Sequence, residues 1–237
     1  MLRHEDIFND YTLNIFTDAS IYTEDKRWFA SCPGAISIIG NTIIDRHEFI
    51  VNGSTNNEGE ILAIRLGIYF ALKYRDRVKQ INLFSDSNIC IQGLNNWIYS
   101  WVNNVNKNGI LFTNSNKPVA NQEIIKCIIS DIVRNNLQIN FYHVKGHVDI
   151  RNDGNIYHAM KVFKTSNGID IDYKLAKQIS YYNNNVDINT RNLLYASTIN
   201  SNTETITAIK RDVNLKNIIN QYKNNTQRND MYASKII

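Results

Sequence analysis

Two short runs, YTLNIFT at residues 11–17 and QINLFSD at residues 80–86, are built largely from aromatic and branched apolar side chains, and each breaks off at an aspartate, Asp18 and Asp86. Between them the hydrophobic period changes. GAISIIG and TIIDRHEFIVNG have strand composition and are bounded by Gly, Asn or Pro, so with the first run they make an antiparallel meander. From Asn57 onward Glu60, Ile64, Gly67, Ile68 and Ala71 recur at the spacing of one helical face, which predicts a helix ending near Lys73 or Tyr74. A second helix is expected from Ser87 to Trp101, then a polar loop to Lys117 and Pro118, a third helix over VANQEIIKCIISDIVRNN and a fifth strand at QINFYHV. Residues 156–182 read as partly helical, and a last helix is expected from Asn184 to Ala196. The order β-β-β-α-β-α-α-β-α predicts an α/β fold: a five-stranded mixed sheet with helices on both faces, its first, fourth and fifth strands adjacent and parallel. Ligands of such sheets gather at the carboxyl ends of the strands, where Asp18 and Asp86 lie.

The chain has 237 residues, 43% of them hydrophobic, enough for one sizeable core. Its net charge of +4 is mildly basic, which permits a nucleic-acid partner without demanding one. Cys32, Cys90 and Cys127 are odd in number, widely spaced and set among apolar neighbours, as buried free thiols of a reducing compartment are. No apolar run approaches the ~20 residues that span a bilayer, and the start of the chain is charged. An intracellular protein is therefore expected, in the cytoplasm, the nucleus or a host cell if viral, with no membrane partner. Asparagine is so abundant throughout that it is discounted as a sign of disorder, including in YYNNNVDINTR at 181–191.

Glu60 shares its helical stripe with Ile64, Ile68 and Ala71 and so faces the sheet, whereas Glu58 lies about 200° round the helix. A carboxylate facing a core is costly unless paired or metal-bound. Converging on one strand-end region, Asp18, Glu60 and Asp86 would raise one another's pKa unless divalent cations neutralise them. Hard oxygen ligands suit Mg²⁺ or Mn²⁺. On spacing alone, scattered structural acids remain an equal alternative, since aspartates commonly cap strand ends.

NIFTDAS, STNNEGEILAIRLGI, INLFSDSNICIQGLNNW and FYHVKGHVD occur in the order of the successive motifs of type 1 ribonuclease H, and the chain resembles that family over roughly residues 11–196. The resemblance implies the RNase H-like fold and hydrolysis of the RNA strand of RNA·DNA hybrids with two Mg²⁺ or Mn²⁺ ions, giving 5′-phosphate products. It carries the family's metal-holding acids onto Asp18, Glu60 and Asp86, and its loop histidine, which assists proton transfer or product release, onto His147. Thr55 matches a phosphate-binding position. Asn56, Asn57 and Asn88 match side chains that read the minor groove or the ribose 2′-OH, the group that tells RNA from DNA. Trp97, Trp101 and Lys117 fall in the family's handle region, although tryptophans one helical turn apart are equally expected in a core. The remaining histidines, His4, His47, His143 and His158, have no such context and read as structural.

The family's last aspartate comes about ten residues after the histidine, but the tenth residue here is Tyr157. Asp153 is too near and sits in a turn. Asp172 begins DYKLAKQIS, a loose match, while Asn183, Asp187 and Arg191 keep the family's four-residue steps. Asp187 is therefore the expected fourth ligand and Asp172 the second choice. An aspartate near a helix start also complements the macrodipole, which is the structural alternative for Asp187. This assignment makes a catalytic domain of 9–197 with an insertion at about 148–181, whose Arg151, Lys161, Lys164, Lys174 and Lys177 offer charge that the family's handle has and this one lacks. Residues 198–237 form a C-terminal extension with one expected helix around Thr205 to Tyr222. A monomer acting on hybrid is expected. The alternatives are a catalytically weakened hybrid-binding or assembly module, its extension docking a protein partner, and a DNA-directed nuclease of the same fold.

Overall fold

The computed structural model describes residues 1–24 and 28–199. After a single helical turn, α1 (His4–Ile7), come β1 (Thr12–Glu24), β2 (Trp28–Ile39), β3 (Thr42–Glu48), the two-residue β4 (Val51–Asn52) and α2 (Asn56–Tyr74). There follow β5 (Gln80–Ser85), α3 (Asn88–Gln92), a π-helical turn (Gly93–Trp97), α4 (Ile98–Asn103), α5 (Gln122–Arg134), β6 (Asn140–His143), α6 (Asp153–Asn167) and α7 (Tyr173–Ile199). The sheet order is β3-β2-β1-β5-β6, with β4 pairing on β2; β1, β5 and β6 run parallel and the rest antiparallel. The expected five-strand plan holds, with β4 as a short addition.

Alternation along the strands divides the molecule. Leu13, Ile15, Ile81 and Leu83 join α2 and α5 in one buried cluster, while Phe16, Phe84, Ile36 and Ile38 join α6 and α7 in another. On the α7 side the three parallel strands stack in tiers. Asn14, Asn82 and Asn140 stand in register, with Asn82 Nδ2 donating to Asn14 Oδ1 at 2.9 Å and Asn140 Nδ2 donating to Asn82 Oδ1 at 3.0 Å. Two residues on, Phe16 and Phe84 stack at 4.7 Å and Phe84 and Tyr142 at 5.3 Å. The period-two alternation carries Asp18 and Asp86 to the next position on the same side.

Several boundaries differ from those the sequence suggested. β1 does not stop at Asp18: the parallel ladder with β5 ends at Thr17↔Ser85, but antiparallel pairing with β2 carries β1 on to Glu24. The last helix starts at Tyr173 rather than Asn184, because Asp172 Oδ1 accepts from Leu175 N at 2.7 Å and caps it there. Residues 2–8 also join the core, with Ile7 and Phe8 buried and Leu2 bridging to Ile171. All three cysteines are free, and burial pushes the Cys32 thiol up to about 12 and that of Cys90 to about 11. Among the described residues no helix is long and apolar enough to cross a membrane. The helix expected around Thr205 to Tyr222 lies outside the described residues.

The amide ladder yields a direct test. In Asn82→Ala the fully buried Asn14 Oδ1 loses its donor and Asn140 Nδ2 its acceptor, at an expected cost of about 2–4 kcal/mol. Urea unfolding should show a lower midpoint at unchanged slope; an unaltered midpoint would mean the ladder contributes nothing.

Candidate metal centre

Asp18 is the first residue of β1 beyond its parallel ladder, and Asp86 the first beyond the end of β5. Glu60 comes from the second turn of α2, on the buried stripe that also carries Ile64, Ile68 and Ala71. One oxygen from each of the three lies within 4.8 Å of the others. Asp18 and Glu60 are only 4% and 7% exposed.

Such convergence requires backbones to come closer than side chains normally allow, and glycines stand at the approaches. A Cβ on Gly59 would lie 2.8 Å from that of Ser31 and 3.1 Å from that of Ala19, so Gly59 lets α2 settle on the β1–β2 hairpin beside Glu60. Gly34, the register partner of Asp18, leaves room for the methyl of Thr190 on α7. At Gly146 a Cβ would collide with the carboxylate of Asp86 itself.

Burial, then the charges of Asp86 and Asp187, hold the Asp18 carboxyl well above the usual range. Burial, then Asp18 and Asp86, do the same to Glu60. Asp86 is also raised, chiefly by burial, against the lowering effect of a hydrogen bond from Asn183. Glu60 Oε2 is buried and has no hydrogen-bond partner. A compact set of hard, mutually repelling oxygens with an orphaned acceptor fits a divalent cation such as Mg²⁺ or Mn²⁺.

Asp187 lies beside this cluster, 9% exposed on α7. Arg191 Nη2 donates to both its oxygens, at 2.6 and 2.7 Å, and His147 Nδ1 stands 3.3 Å from Oδ2. It sits deep within α7 rather than near its start, which removes the macrodipole as the reason for its presence. Asp172 is elsewhere: its carboxylate caps α7 and accepts from His4 N at 3.4 Å. Asp153 accepts from Tyr173 Oη at 2.5 Å on the surface. His147 follows Gly146 in a left-handed conformation (φ 53°), its side chain 68% exposed at the mouth of the cluster.

Thr55 caps α2, accepting from Glu58 N at 3.3 Å, and Asn56 and Asn57 follow it, all three exposed. Asn88 is exposed at the start of α3, just beyond Asp86, and Lys117 is exposed in the loop before α5. Trp97 is 44% exposed and packs 6.1 Å from Trp101, which lies over Gly93. In the 148–181 region Arg151 is paired with Asp149 at 3.1 Å and Lys164 with Asp170 at 2.9 Å, so less free charge is available there than the sequence suggested.

Two more residues touch the cluster, one marked in the sequence only by its spacing from Asp187 and one not marked at all. Asn183, 1% exposed, donates from Nδ2 to Asp86 Oδ2 at 3.4 Å, and its Oδ1 has no partner. His143, read from sequence as structural, bonds through its ring to the backbone carbonyl of Asp86 at 3.2 Å. Only strand register, which pairs His143 with Ser85, would have found it.

A family model for RNase H matches residues 10–158. The chain is 31% identical over 143 residues to a ribonuclease H of Haemophilus influenzae (strain 86-028NP), covering 59% of this chain and 80% of that protein. It is 31% identical over 117 residues to a ribonuclease H of Aeromonas salmonicida (strain A449), covering 48% and 66%. Among solved structures it shares the fold of the PFV RNase H domain in solution, with a TM-score of 0.50 at 18% identity over 69% of this chain and 98% of that one.

The raised carboxyls make a thermodynamic prediction. Between the ordinary carboxylate range and the raised folded values, the metal-free folded chain holds more protons than the unfolded one, so its stability falls as pH rises through that window. Asp18→Asn should therefore melt above wild type at pH ~7 in chelator, the gap closing toward pH ~4 as wild-type carboxyls protonate. Calorimetry across pH reads this directly; parallel curves at every pH would remove the repulsion.

Proposed function

The chain belongs to the ribonuclease H family, and from that membership we propose that it hydrolyses the RNA strand of RNA·DNA hybrids at Asp18, Glu60, Asp86 and Asp187. It is an endoribonuclease, and the observation that carries the placement is the buried cluster of Asp18, Glu60 and Asp86 with its unpartnered Glu60 oxygen. These three acids and Asp187 would hold two Mg²⁺ or Mn²⁺ ions. When bound, such ions supply an activated water and stabilise the leaving 3′ oxygen of an in-line displacement, which leaves a 5′-phosphate.

The protein's own groups do the rest. Asn183 and the tight turn at Gly146 orient the Asp86 carboxylate, while Arg191 holds Asp187 in place. His147, exposed at the mouth, is placed to move a proton or help release product. The open amino end of α2 presents Thr55, Asn56 and Asn57 to a backbone phosphate and the adjoining ribose, with Asn88 alongside. Trp97 and Lys117 extend this surface toward the handle. The catalytic unit takes in residues 2–8, which pack in its core, as well as the expected 9–197, with 198–237 as the expected C-terminal extension.

Asp86→Asn should fold and bind hybrid yet lose metal-dependent cleavage by at least about a thousandfold, as loss of an essential catalytic group does. In the same assay Asp187→Asn should be severely impaired, whereas Asp172→Asn should cleave normally and keep most of its stability, because an asparagine oxygen caps a helix about as well as an aspartate one. The opposite ranking would transfer the fourth ligand to Asp172. Gly146→Ala, which forces the Asp86 carboxylate aside, should lower turnover about a hundredfold with hybrid affinity retained. Cleavage of duplex DNA but not of hybrid would replace the substrate assignment.

A further inference from the structure

The ladder between β5 and β6 ends at Ser85↔His143, and Val144 N closes it by donating to Ser85 O at 3.0 Å. The next carbonyl along, that of Asp86, has no strand residue opposite it. Its donor is the ring of His143, whose Nε2 lies 3.2 Å from Asp86 O. A carbonyl can only accept, so Nε2 carries the hydrogen. In the neutral ring Nδ1 is then the acceptor, and it faces the hydroxyl of Ser166 at 2.8 Å.

Ser166 stands at the carboxyl end of α6, and its neighbour Asn167 grips the same strand residue. His143 N donates to Asn167 Oδ1 at 2.9 Å, and Asn167 Nδ2 donates to His143 O at 2.8 Å. That amide occupies the strand edge much as another strand would. His143 is thus held at backbone and ring by two consecutive residues of α6, and the RNase H match ends at residue 158, before either of them.

We propose that His143 is a positioning residue for the metal centre: held by Ser166 and Asn167, it fixes the Asp86 peptide and hence the direction in which the Asp86 carboxylate points. The inserted helix α6 is in this way a support of the site and not a surface ornament. The inference rests on Asp86 being a metal ligand, as proposed above. Groups that orient a ligand typically change metal affinity by about 10–100-fold when removed.

The test is a titration of the metal-free folded protein with Mn²⁺, followed by calorimetry and without substrate, on wild type, His143→Phe, His143→Gln, Ser166→Ala and Asp86→Asn. Phe keeps ring bulk without a donor, whereas Gln keeps a donor near the position of Nε2. Expected is an affinity about tenfold weaker in His143→Phe, most of it recovered in His143→Gln, with Ser166→Ala shifted the same way but less. In cleavage assays the Mn²⁺ concentration for half-maximal rate should rise in parallel while KM for hybrid stays unchanged. If His143→Phe does not fold, Ser166→Ala and His143→Gln carry the test: wild-type affinity in Ser166→Ala, or a Gln variant as weak as Asp86→Asn, overturns the inference. Equal affinity in folded His143→Phe and wild type, with only the melting temperature lowered, would reduce the contact to a structural staple. Asp86→Asn keeps the two claims apart, for if it binds Mn²⁺ as wild type does, it is the metal-site reading that fails.

Discussion

The register of three parallel strands decides where Asp18 and Asp86 point. Side chains alternate, so a slip of one residue between β1 and β5 would turn Asp18 and Asp86 to opposite sides of the sheet. Apolar residues alone specify such a register loosely when both faces are buried, since Leu, Ile and Phe occur on each. The Asn14, Asn82 and Asn140 amides specify it tightly: out of register, groups wholly or largely removed from water would lose their partners. The ladder also reaches the start of the chain, because Asn14 Nδ2 donates to Ile7 O at 2.8 Å and so anchors α1. Two residues above the amides lie the stacked rings, and two above those the carboxylates.

The carboxylates oppose the fold that assembles them. Burial and proximity both push Asp18, Glu60 and Asp86 toward protonation, and no cation among the described residues bonds to any of the three. Arg191 bonds to Asp187, and from there its charge only partly offsets the rise at Asp18. What holds the cluster together against repulsion is packing round it: Gly59 under α2, Gly34 under α7 and Gly146 against Asp86. A methyl at any of these sites would relieve the repulsion by moving an element away. The strain is thus located where a divalent cation would convert it into affinity, which is why a stability measurement and a metal titration report on the same groups.

Much of this was readable from residues. Strand composition put Asp86 at a strand end and Asp18 where the parallel ladder stops, period 3.6 turned Glu60 inward and Glu58 away, and the order of elements predicted the sheet. The continuation of β1 through Asp18 was hidden because Asp18, Ala19 and Ser20 read as a turn; they are strand because β2 lies beside them. The first turns of α7 were only partly legible, since KLAKQISYYNNN carries exposed Lys174, Lys177 and Tyr181 on one side while Leu175, Ala176 and Ile179 bury the other. His143 escaped entirely and Asn183 was marked only by its spacing from Asp187, as their partners are fixed by strand register and helix phase and not by any neighbour in sequence.

Helix phase also separates the two candidates for the fourth acid. Asp172 lies at the cap of α7, about 22 Å along the axis from Asp187 at ~1.5 Å per residue, and both its oxygens already serve the backbone there. From that cap the helix must run to Asn183 before it meets Asp86, and one turn later Asp187 meets His147. The buried face continues through Thr190 against Gly34 and Leu194 against Ala30 and Cys32. The excursion between His147 and Asp187 is long, yet it is tied at several points: Asn184 Nδ2 to Val148 O at 2.6 Å, Tyr173 to Asp153, and Ser166 and Asn167 to His143. Closing a longer loop costs only about 0.6 kcal/mol per doubling of its length, so such ties offset the added length. Chain distance from the histidine is therefore a poor guide to which acid lies beside the cluster, and the phase of a helix already pinned to the sheet is a good one.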